Sequence, residues 1–299
     1  MTTGFADKGG LSTSRCVQWG RRVVRSVACN VLSMPKAILK SRREIEMMRR
    51  TGQVARDILA KMQQASVPGV TTGELDELAR QELDRVGGIG LSRNYPTYKE
   101  GEGFPGYTCI SVNEEVVHGI PGKRALREGD VVTLDLAMSL EGYCADTATT
   151  VAVGRISPQN QRLLDVTRHT LLLAIQNMKP GRRWSDVARL MQHYVERHGY
   201  SVVREFVGHG IGRSMHEEPK VPNFVTVEQL RGDFVLRAGM TLAVEPMVVA
   251  GRRDVELLKD GWTVVTEDRQ RAAHFEHTVA VTSNGVDILT DSNDTTWTL

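Results

Sequence analysis

An α+β fold assembled from two similarly built halves is what this sequence predicts, and three observations carry the prediction. Helix-start signals precede amphipathic stretches near residues 41 and 71, and again at 157. A run rich in Val, Thr and Ala from Val131 to Val153 is broken only by a turn containing Gly142, the pattern of an antiparallel hairpin. The order of helices followed by strands then recurs about 110 residues later.

In the first half, Ser41-Arg42-Arg43-Glu44 fits a capping box. Ile45, Met48, Val54, Ile58, Leu59 and Met62 follow it at helical spacing. Pro68-Gly69 breaks the chain, and Thr71 with Glu74 opens a second helix through Leu75, Leu78, Ala79, Leu83 and Val86, ended by Gly87-Gly88. Residues 93–108, with three Gly, two Pro and three Tyr, read as an irregular loop. Cys109–Val112 is a short strand, Asn113-Glu114-Glu115 a turn, and Val116–Pro121 the return. Val131–Leu136 and Thr147–Val153 then form the arms of the hairpin. A turn centred between Leu140 and Glu141 sets Asp135 directly opposite Asp146.

In the second half, Ser157-Pro158 starts a helix running to about Met178. Pro180-Gly181 breaks the chain, and a helix from about Ser185 ends at Gly199. Pro180-Gly181 echoes Pro68-Gly69 at an offset of 112. Leu126-Arg127-Glu128-Gly129, with Asp135 six residues after the glycine, is echoed at an offset of 110 by Leu236-Arg237-Ala238-Gly239, with Glu245 six after. Each half thus delivers a carboxylate from the same strand position, and two halves facing each other bring those carboxylates to a shared centre.

Carboxylates held face to face among apolar residues repel, so a cation is expected between Asp135 and Asp146. Solvated, idle aspartates are the alternative, disfavoured because Asp is depleted in strand interiors. The second half adds Gly208-His209-Gly210-Ile211-Gly212, whose glycines are expected to let backbone and substrate approach closely. His216 follows, then Glu245-Pro246 closing a strand at Met240–Val244, and Glu276 heading an apolar strand. Asp135, Asp146, His209, Glu245 and Glu276 make four carboxylates and one imidazole. Their charge of −4 matches two divalent cations, of the Mn, Co, Fe or Zn kind rather than a thiolate-bound structural zinc.

At 299 residues the chain is one large domain or two small ones, and 40% hydrophobic with 25% charged residues is ordinary for a globular protein. The longest strongly apolar run, Leu171–Ile175, is too short to span a bilayer, and cysteines 16, 29, 109 and 144 form no CxxC pair, which suits a reducing intracellular compartment. A net charge of +2 conceals an asymmetry: residues 1–43 hold nine basic residues and one acid, for +8, leaving −6 on the rest. Residues 1–40 are therefore expected to be a basic leader without packed structure, and 41–299 a single folded domain. The leader reads as an organelle-targeting peptide, as a tail drawn to RNA or another polyanion, or as an artefact of start-codon choice with Met34 as the start.

Five ordered motifs resemble the type I methionine aminopeptidases: HGIPG at 118–122, LDLA through GYCAD at 134–146, EFVGHGIGRSMHEEP at 205–219, GMTLAVEPM at 239–247, and DGWTVVTEDRQRAAHFEHTVAVT at 260–282. The resemblance spans about Ser41 to Asp291. It implies the pita-bread fold, two pseudo-symmetric halves of helices over a curved antiparallel sheet. It also implies removal of the initiator methionine, ahead of a small second residue, by a hydroxide bridging two metal ions.

Carried over, it makes Asp135, Asp146, His209, Glu245 and Glu276 the metal ligands, and Glu245 also the proton shuttle. His216 becomes the oxyanion donor and His118 the group beside the scissile amide. Phe104, Cys109, Met215 and Trp262 form the methionine pocket, with His118 and His216 beside it. The family commonly has an aromatic where Met215 stands and a tyrosine where Phe104 stands, and Tyr98 takes the place of another tyrosine. The short separation of His216 from Glu245 indicates type I. Prolidases and aminopeptidase P, the nearest alternatives, usually carry a further N-terminal domain, and a non-catalytic relative would have lost metal ligands. A monomer acting in the cytoplasm on the N-termini of nascent polypeptides is implied, with the ribosome a partner for the leader and no membrane association.

Overall fold

Both capping boxes of the first half form. The Glu44 N–H donates to Ser41 Oγ at 3.3 Å and the Ser41 N–H to Glu44 Oε2 at 2.8 Å, opening α1 (Arg42–Ala65). Thr71 and Glu74 repeat this at 3.2 and 2.7 Å for α2 (Thr72–Val86), which Gly87 ends at φ 68°. Each such cap contributes about 1 kcal/mol. α3 (Pro158–Asn177) starts on Ser157, whose Oγ accepts from the Asn160 N–H. α4 (Trp184–Arg197) begins without a local cap; Asp233, distant in sequence, accepts from the Ser185 N–H at 2.9 Å and from its hydroxyl at 2.8 Å. A fifth helix absent from the sequence reading, α5 (Val227–Arg231), is capped by Thr226. The computed structural model describes residues 37–96 and 103–291, so residues 1–36 of the leader, with Met34, and Tyr98 lie outside it.

The first half supplies β1 (Ile89–Gly90), β2 (Cys109–Val112), β3 (Glu115–Val117), β4 (Val131–Leu140) and β5 (Tyr143–Ala152). The second supplies β6 (Ser201–Val202), β7 (Gly208–Gly210), β8 (Glu217–Val221), β9 (Thr241–Val244) and β10 (Met247–Val249). It continues with β11 (Val255–Leu257), β12 (Val264–Thr266), β13 (Ala272–His274), β14 (Glu276–Val281) and β15 (Val286–Ile288). One antiparallel sheet runs β1-β4-β5-β14-β9-β7-β8, with β2 on β4 and β15 on β14; two three-stranded sheets, β13-β10-β6 and β11-β12-β3, flank it.

Each half has a core of its own, and two smaller apolar clusters span both halves. Ile58, Met62, Leu75 and Leu83 of α1 and α2 pack with Leu134, Leu136 and Met138 of β4, while Leu171, Trp184 and Met191 of α3 and α4 pack with Leu242, Val244 and Val279. The internal repeat extends to single hydrogen bonds. Gly69 N–H donates to Leu126 O and Gly181 N–H to Leu236 O, both at 2.8 Å, and Gly129 and Gly239 share a φ of 92°.

Two expectations need correction. The hairpin loop is Glu141-Gly142, with φ of 51° and 77°, the left-handed pair favoured by a two-residue turn. Leu140 therefore faces Tyr143, Asp135 faces Ala148, and Asp146 faces Ala137. The slip moves the pairing by two residues, so Asp135 and Asp146 become diagonal neighbours yet stay on one face. The packed chain also begins ahead of Ser41: Ala37 and Lys40 are buried, and the Lys40 N–H donates to Gly239 O at 2.7 Å.

Between the halves, β5 and β14 share only the pairs Glu276–Ala148 and His277–Thr147. Threonine hydroxyls continue the seam. Thr278 Oγ1 donates to Asp146 O and accepts from its N–H at 2.8 and 2.9 Å, and Thr147 Oγ1 donates to Glu276 O at 3.0 Å. Thr150 Oγ1 exchanges two such bonds with the backbone of His274.

Candidate metal centre and its cavity

Strand register alone places the acidic residues together. Asp135 and Glu276 both pair with Ala148, one from either side of β5, and Asp146 lies two residues from Ala148 on the same face. Further along, Thr278 pairs with Ala243 and Ala243 with His209, so His209 and Glu245, two residues beyond Ala243, share that face as well. Four side chains from β4, β5, β7 and β14, and a fifth from the residue just past β9, converge because alternation leaves them nowhere else to point.

All eleven residues singled out from the sequence line one cavity of about 840 Å³. On its floor, ligand atoms of Asp146, His209 and Glu276 lie within 4.8 Å of one another. His209 Nε2 stands 3.8 Å from Asp146 Oδ2 and 3.6 Å from Glu245 Oε1, and its Nδ1 faces Gly210 O at 2.9 Å. A backbone acceptor at Nδ1 fixes the proton there and leaves Nε2 free to ligate. Asp135 lines the same cavity, opposite Cys109 across β2 and β4, but outside that tightest group of three.

The electrostatics are those of an acidic cluster kept from water. Burial, then the charge of Asp146, pushes Asp135 well above the usual carboxylate range. Glu245 and Glu276 are raised by burial and then by the other carboxylates, and burial lifts Asp146 to about 6 against the pull of His216. Asp146 Oδ1 and Glu276 Oε1 are buried with no hydrogen-bond partner among the described residues. Such orphaned acceptors are rare in folded proteins, and an oxygen-rich set with one imidazole fits divalent cations.

Above the floor stand two histidines. His118 occupies the left-handed region at φ 59°, sits edge-on to Phe206, and is held by burial, and then by His216, at a pKa of about 4. His216 Nδ1 meets Tyr95 Oη at 2.9 Å, and its ring lies 4.3 Å from that of His209. Phe104 and Trp262 meet edge to face at 5.2 Å, and with buried Cys109 and half-buried Met215 make an apolar end.

Sequence reading missed three contributors. His274, buried on the cavity wall, has neither ring nitrogen bonded among the described residues and lies 3.9 Å from Glu276 Oε2; burial drops its pKa to about 3. Its position two residues before Glu276 on a strand was the available signal. Tyr95 in the irregular loop and Asn223, whose amide donates to Glu245 O at 3.1 Å, left none. The glycines around His209 do allow close backbone approach. A Cβ on Gly208 would meet Ala243 O, one on Gly210 would meet Glu218 O, and one on Gly212 would meet the Lys40 side chain. They admit neighbouring chain segments.

Residues 46–283 match the family described as metallopeptidase family M24. Methionine aminopeptidase 1 of Bacillus subtilis (strain 168) is 44% identical over 253 residues, covering 85% of this chain and 98% of that protein. The methionine aminopeptidase of Escherichia coli (strain K12) is 39% identical over 260 residues, 86% of this chain and 95% of its own. The crystal structure of methionine aminopeptidase from Rickettsia prowazekii superposes with a TM-score of 0.81 at 35% identity, over 86% of this chain and all of that one. A prolidase from Pyrococcus horikoshii OT3, at 20% identity and a TM-score of 0.65, shares the fold alone, over 86% of this chain and 64% of its own.

Proposed function

The chain belongs to metallopeptidase family M24 and, within it, to the methionine aminopeptidases with their pita-bread fold, and from that premise we propose how its residues divide the work. The enzyme is a metal-dependent hydrolase that removes N-terminal methionine. The observation supporting the assignment of residues is the convergence of Asp146, His209 and Glu276 within 4.8 Å, in a cavity that also holds Asp135, Glu245, two histidines and an apolar end.

Asp135, Asp146, His209, Glu245 and Glu276 would hold two divalent ions of the Mn, Co, Fe or Zn kind. Bound there, such ions supply Lewis acidity toward a water and toward the scissile carbonyl. The apolar end takes the methionine side chain, with Phe104 and Trp262 as its aromatic walls and Cys109 and Met215 lining it. A free α-amino end is thereby delivered to the carboxylate floor, a match that no internal peptide bond offers. Glu245 takes the proton of the attacking water and passes it to the leaving amine as the C–N bond breaks, releasing methionine and the shortened peptide. Tyr95 donates its hydroxyl hydrogen to His216 Nδ1, which keeps the His216 proton on Nε2 for donation to the developing oxyanion. Neutral His118 hydrogen-bonds the scissile amide. The residue after methionine passes beside His209, which selects for small side chains there.

The substrates are N-termini of polypeptides. The basic leader offers a contact to a polyanion such as the ribosome, and no helix among the described residues is long and apolar enough to cross a membrane. A cytoplasmic monomer is the reading we favour.

Turnover of Met-Ala-Ser, Met-Lys-Ser, Leu-Ala-Ser and Ala-Pro-Ala, measured side by side with Mn, tests these assignments. Met-Ala-Ser is expected to be cut, Met-Lys-Ser hardly at all, and the other two left intact. Preference for Ala-Pro-Ala would overturn the pocket assignment.

A further inference from the structure

A lysine is rarely buried without purpose, and Lys40 is buried one residue before the first helix cap. Its Nζ pairs with Glu217 Oε2, the two side chains only 5% and 8% exposed, and it also donates to Ile38 O at 3.1 Å. The other carboxylate oxygen of Glu217 accepts from the Arg213 N–H at 3.0 Å and the Ser214 N–H at 3.4 Å. Glu217 thus gathers the start of the turn 213–217, whose two remaining residues, Met215 and His216, face the cavity.

Two glycines make room for this arrangement. A Cβ on Gly212 would strike both Lys40 Cε and Glu217 Oε1, and one on Gly239 would lie 2.9 Å from Lys40 O. The Lys40 N–H is tied in turn to Gly239 O at 2.7 Å. Gly212, four residues ahead of His216, thus makes room for the ion pair, and Gly239, six ahead of Glu245, for the backbone of Lys40.

We infer that Lys40 and Glu217 are a positioning pair, by which the segment ahead of the first helix holds the turn that sets His216 and Met215. Neither group touches substrate. Their effect runs through the placement of the His216 ring against Tyr95 and the cavity, so the inference rests on the role proposed for His216. Removing one partner leaves the other charge buried and unpaired, and the turn relaxes toward water to relieve it.

The test compares Lys40→Met, Lys40→Arg and Glu217→Gln with the wild type in the full chain. Read-outs are kcat and KM on Met-Ala-Ser, bound metal, and the His216 imidazole resonances in NMR spectra of the protein without substrate. Misplacing a reacting group by about 1 Å can cost about a hundredfold in rate, so Lys40→Met is expected to lose roughly ten- to a hundredfold in kcat. Its metal content should be unchanged, its His216 resonances displaced, and Lys40→Arg should restore most of the rate.

Glu217→Gln keeps an acceptor for the two turn N–H groups but loses the charge, and is expected to fall between wild type and Lys40→Met. It also carries the test should Lys40→Met fail to fold. Melting temperatures that fall while kcat and the His216 resonances stay as in the wild type would reduce the pair to a structural contact and overturn the inference. Displaced His216 resonances with unchanged kcat would support the pair while refuting the role of His216. A wild type inactive on Met-Ala-Ser would strike the proposed function and leave the resonance test standing.

Discussion

Asp146→Asn should make the metal-free protein more stable while ending its activity. Asp146 is the residue whose charge burdens its neighbours, raising Asp135, Glu245 and Glu276 in turn. Its own carboxyl moves from 3.8 to about 6 on folding, so holding it ionised at pH 7 costs about 3 kcal/mol. The amide removes that charge at nearly constant volume, and its N–H faces acceptors at His209 Nε2 and the other carboxylates.

The sign follows from the raised pKa. A carboxyl that binds its proton more tightly in the folded state destabilises progressively as pH climbs from 3.8 through about 6, and constantly above that. With roughly 2–4 °C per kcal/mol for a domain approaching this size, the variant should melt roughly 6–12 °C above wild type in chelator at pH 7.5. The gap should close near pH 4, where both proteins carry a neutral group. With Mn added the order reverses, because only the wild type gains from the ion. Scanning calorimetry at two pH values, with and without Mn, reads all of this. A chelated variant that melts at or below wild type at pH 7.5, or an advantage undiminished at pH 4, would refute the reasoning.

Other outcomes are equally open to measurement. His118→Ala and His216→Ala should each lose about 10²–10³-fold in kcat, the scale of one oxyanion donor, with metal content unchanged; loss of metal from His216→Ala would mean its role is misassigned. Chelation should abolish turnover and lower the melting temperature together, and Mn or Co should restore both, whereas full activity in metal-free protein would exclude the metal centre. Deleting residues 1–33 should leave peptide turnover intact, while deletion through Lys40 should not; equal activity of the two truncations would argue that residues 37–40 are dispensable.

Local signals were legible because their chemistry is local. Ser41 with Glu44 and Thr71 with Glu74 each satisfy backbone donors within a few residues, so sequence spacing contains the whole interaction. The repeat was legible for a similar reason: Gly129 and Gly239 mark backbone conformations that a side chain resists. The hairpin register was off by two residues because Glu141-Gly142 makes the tighter left-handed turn. The shared face of Asp135 and Asp146 survived, since a two-residue slip preserves alternation.

What escaped depends on residues far apart in the chain. Asp233 caps α4 from 48 residues away, Tyr95 reaches His216 across 121, and Lys40 meets Glu217 across 177. His274 escaped for another reason, since a histidine beside a carboxylate reads like any polar strand residue until burial leaves its nitrogens unbonded.

The threonine-stitched seam between β5 and β14 gives the centre a mechanical character. Hydroxyls on short side chains stand in for part of a ladder there, so along the seam itself the two strands share only two backbone pairs. Asp146 lies on one lip of that seam and Glu276 on the other. An ion held by both would cross-link the two halves at the seam, in addition to the apolar clusters that already span them. Metal binding and the rigidity of the seam would then be coupled, and amide exchange at Asp146 and Thr278 would slow in step with a metal titration.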